Sequence, residues 1–300
     1  RLKSTEVLKV SGDLPEDLDV WQLAMLKINP ATAALMLGKY VELKEGDWVI
    51  QNAANSGVGQ NLIRLARARG IRTVNVVRRE SLVGALKEMG ADVVVVDGDN
   101  LAEHVRQETE DAAIPLAIDA VAGEATRRLS ECLADGATIV NYGLLGGKPC
   151  MVPADRVIFK GLTLTGFWLV EHLGAMTRDE KAAFYGDLAA RIADGSLMVG
   201  VEAVYPIEDI TGALEHARRK GRDGKILGRG VGDMKAGTVA SLLCLVLIHE
   251  LDIPFDGQLT ATLVADEESG GTWGAQWLLE NVPMTRGDAN LNSEPTDMDQ

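Results

Sequence analysis

Short apolar runs alternate with amphipathic stretches along the first half of the chain. The runs DWVIQNA (47–53), IRTVNVVRR (71–79) and DVVVVD (92–97) are rich in β-branched residues, which favour strands. Between them, GQNLIRLARARG (59–70) and SLVGALKEMGA (81–91) place apolar residues at helical spacing. The pattern predicts that strands and helices alternate from residue 47 onwards.

Three further apolar runs continue the pattern. They are IPLAIDAV (114–121), GATIVNYG (136–143) and GLTLTGFWL (161–169). Mostly apolar strands that alternate with helices are typical of a parallel sheet that is covered by helices on both faces. We therefore predict an α/β fold with a Rossmann-like, doubly wound parallel sheet.

After Leu227 the pattern begins again, with no linker-like composition before it. The second series consists of a helix (238–251), a strand (258–266), a helix (271–281) and a strand with its exit loop (287–295). A chain of 300 residues is long enough for about two domains. We predict a first domain over 1–227 and a partial α/β segment over 228–300.

The charge of the chain narrows the possible partners. The net charge is −14, which argues against a nucleic acid or an anionic membrane surface, because both attract Lys and Arg. Acidic residues are concentrated in 228–300, which holds three Lys or Arg against twelve Asp or Glu. Such a region is either a solvated surface or a source of carboxylate ligands for a metal ion.

Cysteine usage and hydropathy indicate the compartment. Cys132, Cys150 and Cys244 show no CxxC spacing, so we expect neither a disulfide framework nor a structural zinc cluster. The longest apolar run, 242–248, is too short to span a bilayer. We expect a reducing compartment: the cytoplasm, or an organelle matrix if a transit peptide has been lost.

A Gly-rich turn follows the first predicted strand. In ANSGVG (54–59), backbone N–H groups and a helix N-terminus could approach a pyrophosphate, although an ordinary tight turn is the alternative. About 20 residues further on, where an NAD site has an acidic residue, stand Arg78 and Arg79. Guanidinium groups suit a 2′-phosphate, so the pair favours NADPH over NADH, unless both side chains are simply solvated.

The order of several motifs carries a resemblance to a known family. The motifs are LKINPATAALML, LKEGDWVIQNAANSGVGQ, NVVRR, LKEMGAD, NYG, VIFKGLTLTGFWL and GRDGKIL. Residues 1–227 resemble the medium-chain dehydrogenase/reductase superfamily, within it the zinc-independent trans-2-enoyl-thioester reductases and the related quinone oxidoreductases. The resemblance implies NADPH-dependent reduction of the C=C bond of an acyl thioester, or of a quinone, and a possible homodimer.

The resemblance also implies site residues. They are Asn29, Asn55, Ser56, Gly57 and Val58 for NADPH, Arg78 and Arg79 for its 2′-phosphate, Tyr142, Gly143, Phe167, Trp168 and Leu169 around the nicotinamide and acyl pocket, and Lys225 beside the cofactor. Asn29 could instead be a helix cap before Pro30, and Phe167 and Trp168 could be core aromatics. Glu80 replaces a basic residue that relatives often have, which weakens the 2′-phosphate assignment.

The resemblance implies a further domain that residues 1–227 largely lack. In this family a GroES-like N-terminal domain forms the other wall of the cleft and supplies a tyrosine that acts at the thioester. The four tyrosines of the chain do not match the context of that residue. Cofactor binding is therefore better supported by the sequence than turnover.

Residues 228–300 resemble a different family. GRGVGDMKAG, VADEESGGTWGAQWLLE and NSEPT occur in the order found in dizinc exopeptidases and deacylases such as aminoacylase and acetylornithine deacetylase. The resemblance implies that Asp233 bridges two zinc ions, that Glu268 and Glu294 are zinc ligands, and that Glu267 is the general base. None of the four histidines has the His-x-Asp spacing of that family, so we expect zinc to bind weakly.

Three interpretations of the whole chain follow. It is an NADPH-dependent enoyl-thioester or quinone reductase, a zinc-dependent amidohydrolase, or a composite of two family segments that only binds nucleotide. We interpret the polypeptide as a composite whose main function is that of the reductase. The expected ligands are NADPH and a small acyl thioester or quinone.

Overall fold

Six parallel strands form the central sheet of the protein. The computed structural model describes residues 19–201, 203–205, 209–218, 250 and 280–282. The strands are β1 (Trp48–Gln51), β2 (Arg72–Val77), β3 (Val93–Val96), β4 (Leu116–Asp119), β5 (Thr138–Asn141) and β6 (Thr163–Gly166). Their order is β3-β2-β1-β4-β5-β6, and each strand lies within one of the predicted apolar runs. The predicted Rossmann-like sheet is confirmed.

Helices connect the strands and precede the sheet. The described helices are α1 (Val20–Leu26), α2 (Asn29–Lys39), α3 (Gly57–Ala68), α4 (Val83–Met89), α5 (Leu101–Thr109), α6 (Glu124–Glu131), α7 (Ala154–Lys160), α8 (Leu169–Gly174), α9 (Arg178–Ala193) and α10 (Ile210–Arg218). α3 begins two residues earlier than predicted because Ser56 caps it. α4 ends at Met89, where Gly90 adopts the left-handed conformation that stops a helix.

The two faces of the sheet bury separate apolar layers. On one face, Val49 and Ile118 pack with α2, α3 and α9, whereas on the other Ile50 and Ala117 pack with α5 and α6. Consecutive strand residues therefore alternate between the layers, as the period of two requires. This double burial is the reason that β1, β3 and β4 contain only apolar residues before their last position.

The carboxyl ends of the strands meet at one edge of the sheet. Pairing sets Gln51 beside Asn75 and Ile118, and it sets Asn141 beside Asp119 and Gly166. The chain proceeds outwards from β1 to β3 and then returns to β4 on the other side of β1. A crevice for a ligand is expected where the strand order reverses, outside the carboxyl ends of β1 and β4.

The described residues fall into two compact units. The first ends at Val204 and contains the sheet, and the second begins at Tyr205 and contains α10. The elements predicted after residue 227 lie almost wholly outside the described residues. Within the described ranges, no helix combines the length and the apolar character needed to cross a membrane.

Candidate functional site

Loops at the carboxyl edge of the sheet carry most of the predicted site residues. Asn55 and Ser56 follow β1, Arg78 and Arg79 follow β2, Tyr142 and Gly143 follow β5, and Phe167 and Trp168 follow β6. Their order along the edge follows the order of the strands. The sheet therefore spreads these groups over one rim, with the basic pair and the aromatic residues on opposite sides of β1 and β4.

The first turn of α3 presents free backbone donors at the centre of this rim. Ser56 Oγ accepts a hydrogen bond from Gly59 N at 3.1 Å. The first N–H groups of a helix have no acceptor within the helix, and here those of Gly57 and Val58 remain at the positive end of the helix dipole. Ala53, with φ 46°, turns the chain sharply into this position. The arrangement fits the backbone recognition of an anion.

Gly59 brings α3 into direct contact with the exit of β1. A Cβ atom at Gly59 would overlap the carbonyl group of Ala54, so only glycine allows this approach. The side chain of Gln51 donates to Gly59 O at 3.0 Å and to Asn75 Oδ1 at 2.7 Å. The start of α3 is thus fixed to β1 and β2 by buried contacts.

Two guanidinium groups follow β2, next to the start of α3. Arg78 is exposed and Arg79 is half-buried. Glu80, also exposed, begins a short 3-10 turn. The pair follows β2, which is adjacent to β1, so a group bound at the start of α3 would extend towards the two guanidinium groups.

A buried carboxylate links the exits of β1, β4 and β5. Asp119 is fully buried, and its carboxylate accepts hydrogen bonds from Asn52 Nδ2 (2.6 Å), Thr126 Oγ1 (2.6 Å) and the backbone N–H groups of Val121 (2.9 Å) and Ala122 (3.1 Å). Asn52 in turn accepts from Ala120 N at 2.7 Å. These contacts fix the loop after β4 in place.

The loop after β5 joins the same network. Asn141 Nδ2 donates to Asp119 Oδ2 at 3.3 Å and to Gly143 O at 3.0 Å. A Cβ atom at Gly143 would lie 2.7 Å from Ala120 O, so the two loops approach each other closely. This network was not among the predicted site residues, although a signal for it is present: Asn52, Asp119 and Asn141 are polar residues at or just after the ends of strands.

Tyr142 lies between the β1 and β5 loops. Burial raises the pKa of its hydroxyl to about 12, and the Asp119 carboxylate adds to the increase, whereas a hydrogen bond with Ser56 opposes it. The hydroxyl therefore remains protonated at neutral pH. Tyr142 and Ser56, both predicted site residues, are brought into contact by the fold.

The residues after β6 divide between core and surface. Phe167 and Leu169 are buried in the core, whereas Trp168 is 66% exposed. The alternative reading as core aromatics is therefore right for Phe167 and wrong for Trp168. Phe167 N donates to Asn141 O at 2.8 Å, which connects this segment to β5.

The remaining predicted residues lie elsewhere. Asn29 is the first residue of α2 and Ile28 is its N-cap, so the alternative reading of Asn29 as a helix cap is wrong. Lys225, Asp233, Glu267, Glu268 and Glu294 lie outside the described residues. Within the ranges that the structure describes, no three His, Cys, Asp or Glu side chains group as a metal site would require.

Comparison with protein families identifies two segments. Residues 57–184 match the family described as zinc-binding dehydrogenase, and residues 202–300 match peptidase family M20/M25/M40. The first match contains the sheet edge from α3 to β6. The second contains the acidic motifs of the final quarter.

Individual relatives point to one branch of reductases. The mitochondrial enoyl-[acyl-carrier-protein] reductase of Dictyostelium discoideum is 35% identical over 227 residues, which cover 74% of this chain and 63% of the relative. The structure of an Etr1p/NADP/crotonyl-CoA complex is 25% identical with a TM-score of 0.60, covering 67% of this chain and 58% of that chain. The Candida tropicalis 2-enoyl thioester reductase heterodimer Etr1p/Etr2p, at 24% identity and a TM-score of 0.62, covers 69% and 61% and shares the fold. The chain therefore spans less than two thirds of each.

Proposed function

We propose that this chain is an NADPH-dependent oxidoreductase that reduces the C=C bond of 2-enoyl thioesters. Its residues 1–227 resemble the enoyl-thioester reductase branch of the medium-chain dehydrogenase/reductase superfamily. One observation carries the proposal: the free N–H groups of α3, the Arg78–Arg79 pair and the residues after β5 and β6 occupy one rim of the sheet in the order of the strands. The similarity to enoyl reductases supports the reaction.

The residues of the rim fit the parts of NADPH. The N–H groups of Gly57 and Val58, with Asn55 and Ser56, would hold the pyrophosphate, because the start of α3 is positive and Gly59 leaves no side chain in the way. Arg78 and Arg79 would pair with the 2′-phosphate. Asn29 and Lys225 are proposed as further contacts.

The aromatic side of the rim would receive the reacting groups. Tyr142, Gly143 and the segment Phe167–Trp168–Leu169 would line the nicotinamide and the acyl chain. When bound, NADPH would supply the hydride for the β-carbon of the enoyl thioester, and a proton delivered to the α-carbon completes the reduction. The chain contributes orientation and apolar surface: Trp168 is exposed beside the rim, while Phe167 and Leu169 anchor its backbone in the core.

The relatives bear on substrate and compartment. Etr1p has been crystallised with NADP and crotonyl-CoA, which supports an acyl thioester in preference to the quinone alternative. The similar Dictyostelium enzyme is mitochondrial, which supports the organelle matrix in preference to the cytoplasm.

A homodimer through the edge of the sheet is part of the proposal. β6 is an edge strand in the described sheet, and Leu164 in it is 42% exposed. The neighbouring α7 buries none of its residues and exposes Ile158 (68%) and Phe159 (78%). An open strand edge beside exposed apolar side chains favours pairing with a second copy of the chain.

A second candidate activity rests on the match of residues 202–300 to the M20 peptidase family. In this proposal Asp233, Glu268 and Glu294 would hold zinc, and Glu267 would activate water as the general base. Zinc-dependent hydrolysis of an N-acyl amino acid that is lost in Glu267→Ala would establish this activity, and it would leave NADPH binding unaffected.

Cofactor preference tests the main proposal. We expect NADPH to bind more tightly than NADH. Arg78→Ala should weaken the binding of NADPH by about 10–100-fold and leave the affinity for NADH unchanged, because one charge-assisted contact is lost. Fluorescence titration of both nucleotides measures this. Arg106→Ala, which removes an exposed arginine on α5, is the matched control. Equal affinities for the two nucleotides in the parent protein would refute the assignment.

A further inference from the structure

A series of polar contacts from α2 and α8 supports the exit of β6. Tyr40, the C-cap of α2, donates its O–H to the carbonyl oxygen of Gly166 at 2.9 Å. His172 of α8 lies with Nε2 at 3.1 Å from Tyr40 Oη, and its Nδ1 is 3.5 Å from Lys39 Nζ. The imidazole stacks on the ring of Phe167, with 4.7 Å between ring centroids and 18° between planes.

The donors and acceptors in this series of contacts determine the tautomer and the charge of His172. A carbonyl oxygen can only accept, so the single proton of the Tyr40 hydroxyl is committed to Gly166. Tyr40 Oη must then accept from His172, which places the imidazole proton on Nε2. Nδ1 is left with a lone pair, and that lone pair faces the ammonium group of Lys39. The contacts are therefore mutually consistent only with the neutral, Nε2-protonated ring.

The charged groups around His172 oppose a second proton. Burial lowers the pKa of His172 below its ordinary value, the Lys39 ammonium lowers it further, and Glu171 in α8 acts in the opposite direction. Glu180, at the start of α9, is a further carboxylate in this region: hydrogen bonds from Thr177 lower its pKa, and the Lys39 ammonium lowers it further. A protonated Nδ1 would point at Lys39, and this repulsion opposes the attraction that an imidazolium would gain from the Phe167 ring.

The segment that these contacts hold, residues 166–169, includes the aromatic residues of the proposed site. Phe167 N donates a hydrogen bond to Asn141 O of β5, and Gly166 O accepts one from Tyr40 of α2, so two different elements hold the backbone just before Trp168. The ring of Phe167 is further covered by His172. Loss of the Tyr40–Gly166 hydrogen bond or of the His172–Phe167 ring contact would leave the hydrogen bond to β5 in place.

We infer that His172 is a positioning residue that, in its neutral form, holds residues 166–169 through Tyr40 and Phe167 in the conformation that receives the nicotinamide end of the cofactor. The inference rests on the proposed function for its consequence, but the contacts themselves are a property of the free protein. Protonation of His172 displaces Lys39 and loosens the segment. Binding of the cofactor therefore weakens as the pH falls through the titration of this ring.

Nuclear magnetic resonance of the free protein tests the contacts without any cofactor. Long-range ¹⁵N–¹H spectra of the imidazole should show the Nε2–H tautomer at pH 8, and the amide signals of Phe167 and Trp168 should shift with the titration of His172. Lys39→Met should raise the pKa of His172 towards its ordinary value. The opposite tautomer, or a titration that leaves those amide signals unmoved, would overturn the inference whether or not the protein binds NADPH.

Binding of NADP⁺ by calorimetry between pH 5.5 and 8 tests the consequence. His172→Gln keeps a donor for Tyr40 and cannot titrate. We therefore expect it to bind NADP⁺ with parental affinity at pH 8 and to lose less affinity than the parent at pH 5.5. His172→Leu removes the donor and should weaken binding about fivefold at every pH. The 2′-phosphate of NADP⁺ also titrates near pH 6. The informative quantity is therefore the difference between the parent and His172→Gln in how much affinity for NADP⁺ is lost at low pH.

A matched histidine separates this effect from general acid sensitivity. His104 is exposed on α5, and His104→Gln should keep the full loss of affinity at pH 5.5. If His172→Gln follows the parent both at pH 8 and at a pH below the His172 titration seen in the spectra of the free protein, the positioning role is wrong. If no variant binds NADP⁺ at any pH, the proposed function fails, and the spectra of the free protein still decide the role of His172.

Discussion

At the scale of single residues, Asp119 connects three loops that meet at the rim of the sheet. Its carboxylate accepts hydrogen bonds from three side chains and two backbone N–H groups while it is fully buried. A buried carboxylate is costly without partners, and here every lone-pair direction has one. The same residue that stabilises the fold therefore determines the shape of the crevice at the point where the strand order reverses.

Replacing Asp119 tests this role. Asp119→Asn puts an N–H₂ group where only acceptors fit, so we expect the free energy of unfolding to fall by about 2–3 kcal/mol. Urea denaturation followed by circular dichroism measures the change. Asp135→Asn is the control, because Asp135 pairs with Lys160 on the surface and should change stability by less than about 1 kcal/mol. Equal effects of the two substitutions would contradict the role of Asp119.

At the scale of elements, the contact between α3 and β1 decides how closely a ligand can approach. Helix propensity alone would favour alanine over glycine at residue 59 by about 1 kcal/mol. The neighbouring carbonyl of Ala54 reverses that preference, because it leaves no room for a Cβ atom. The tertiary contact therefore outweighs the local propensity, and the glycine of the motif serves packing as much as ligand approach.

A pair of glycine substitutions separates these two effects. We expect Gly59→Ala to lower the free energy of unfolding by about 1–3 kcal/mol through overpacking. Gly84 lies in α4 with no atom within 4 Å of a Cβ position, so Gly84→Ala should raise stability by about 0.5–1 kcal/mol. Thermal unfolding of both variants provides the comparison. Stabilisation by both substitutions would show that α3 moves away from β1 at little cost.

At the scale of the whole molecule, the open edge of β6 leads to a prediction about assembly. We expect the protein to sediment at twice the monomer mass, and Leu164→Lys to produce monomers, because a charged side chain on an edge strand opposes pairing. Analytical ultracentrifugation at several concentrations checks this. Trp21→Lys, at a half-exposed apolar residue of α1, is the control and should remain dimeric. A monomeric parent would refute the dimer.

The periodicity of residues 47–169 was enough to predict their architecture. Period-two and helical patterns are local, so all six strands, the helices α3 and α4 and the parallel arrangement followed from them. The spacing after the Gly-rich turn indicated Arg78 and Arg79 as candidate 2′-phosphate contacts. Ser56, Tyr142 and Phe167 were predicted as site residues only because the motifs resemble a known family, and their roles stay predictions.

Which polar groups are in contact could not be predicted from the residue pattern and is known from the folded structure. Asn52 and Asp119 are 67 residues apart, and Tyr40 and His172 are 132 apart, so no local pattern links them. It also decided that Phe167 is buried while its neighbour Trp168 is exposed, since a chain leaving a strand no longer keeps a fixed period. Periodicity specifies elements, whereas contacts between distant elements depend on how the strands cross over in the sheet.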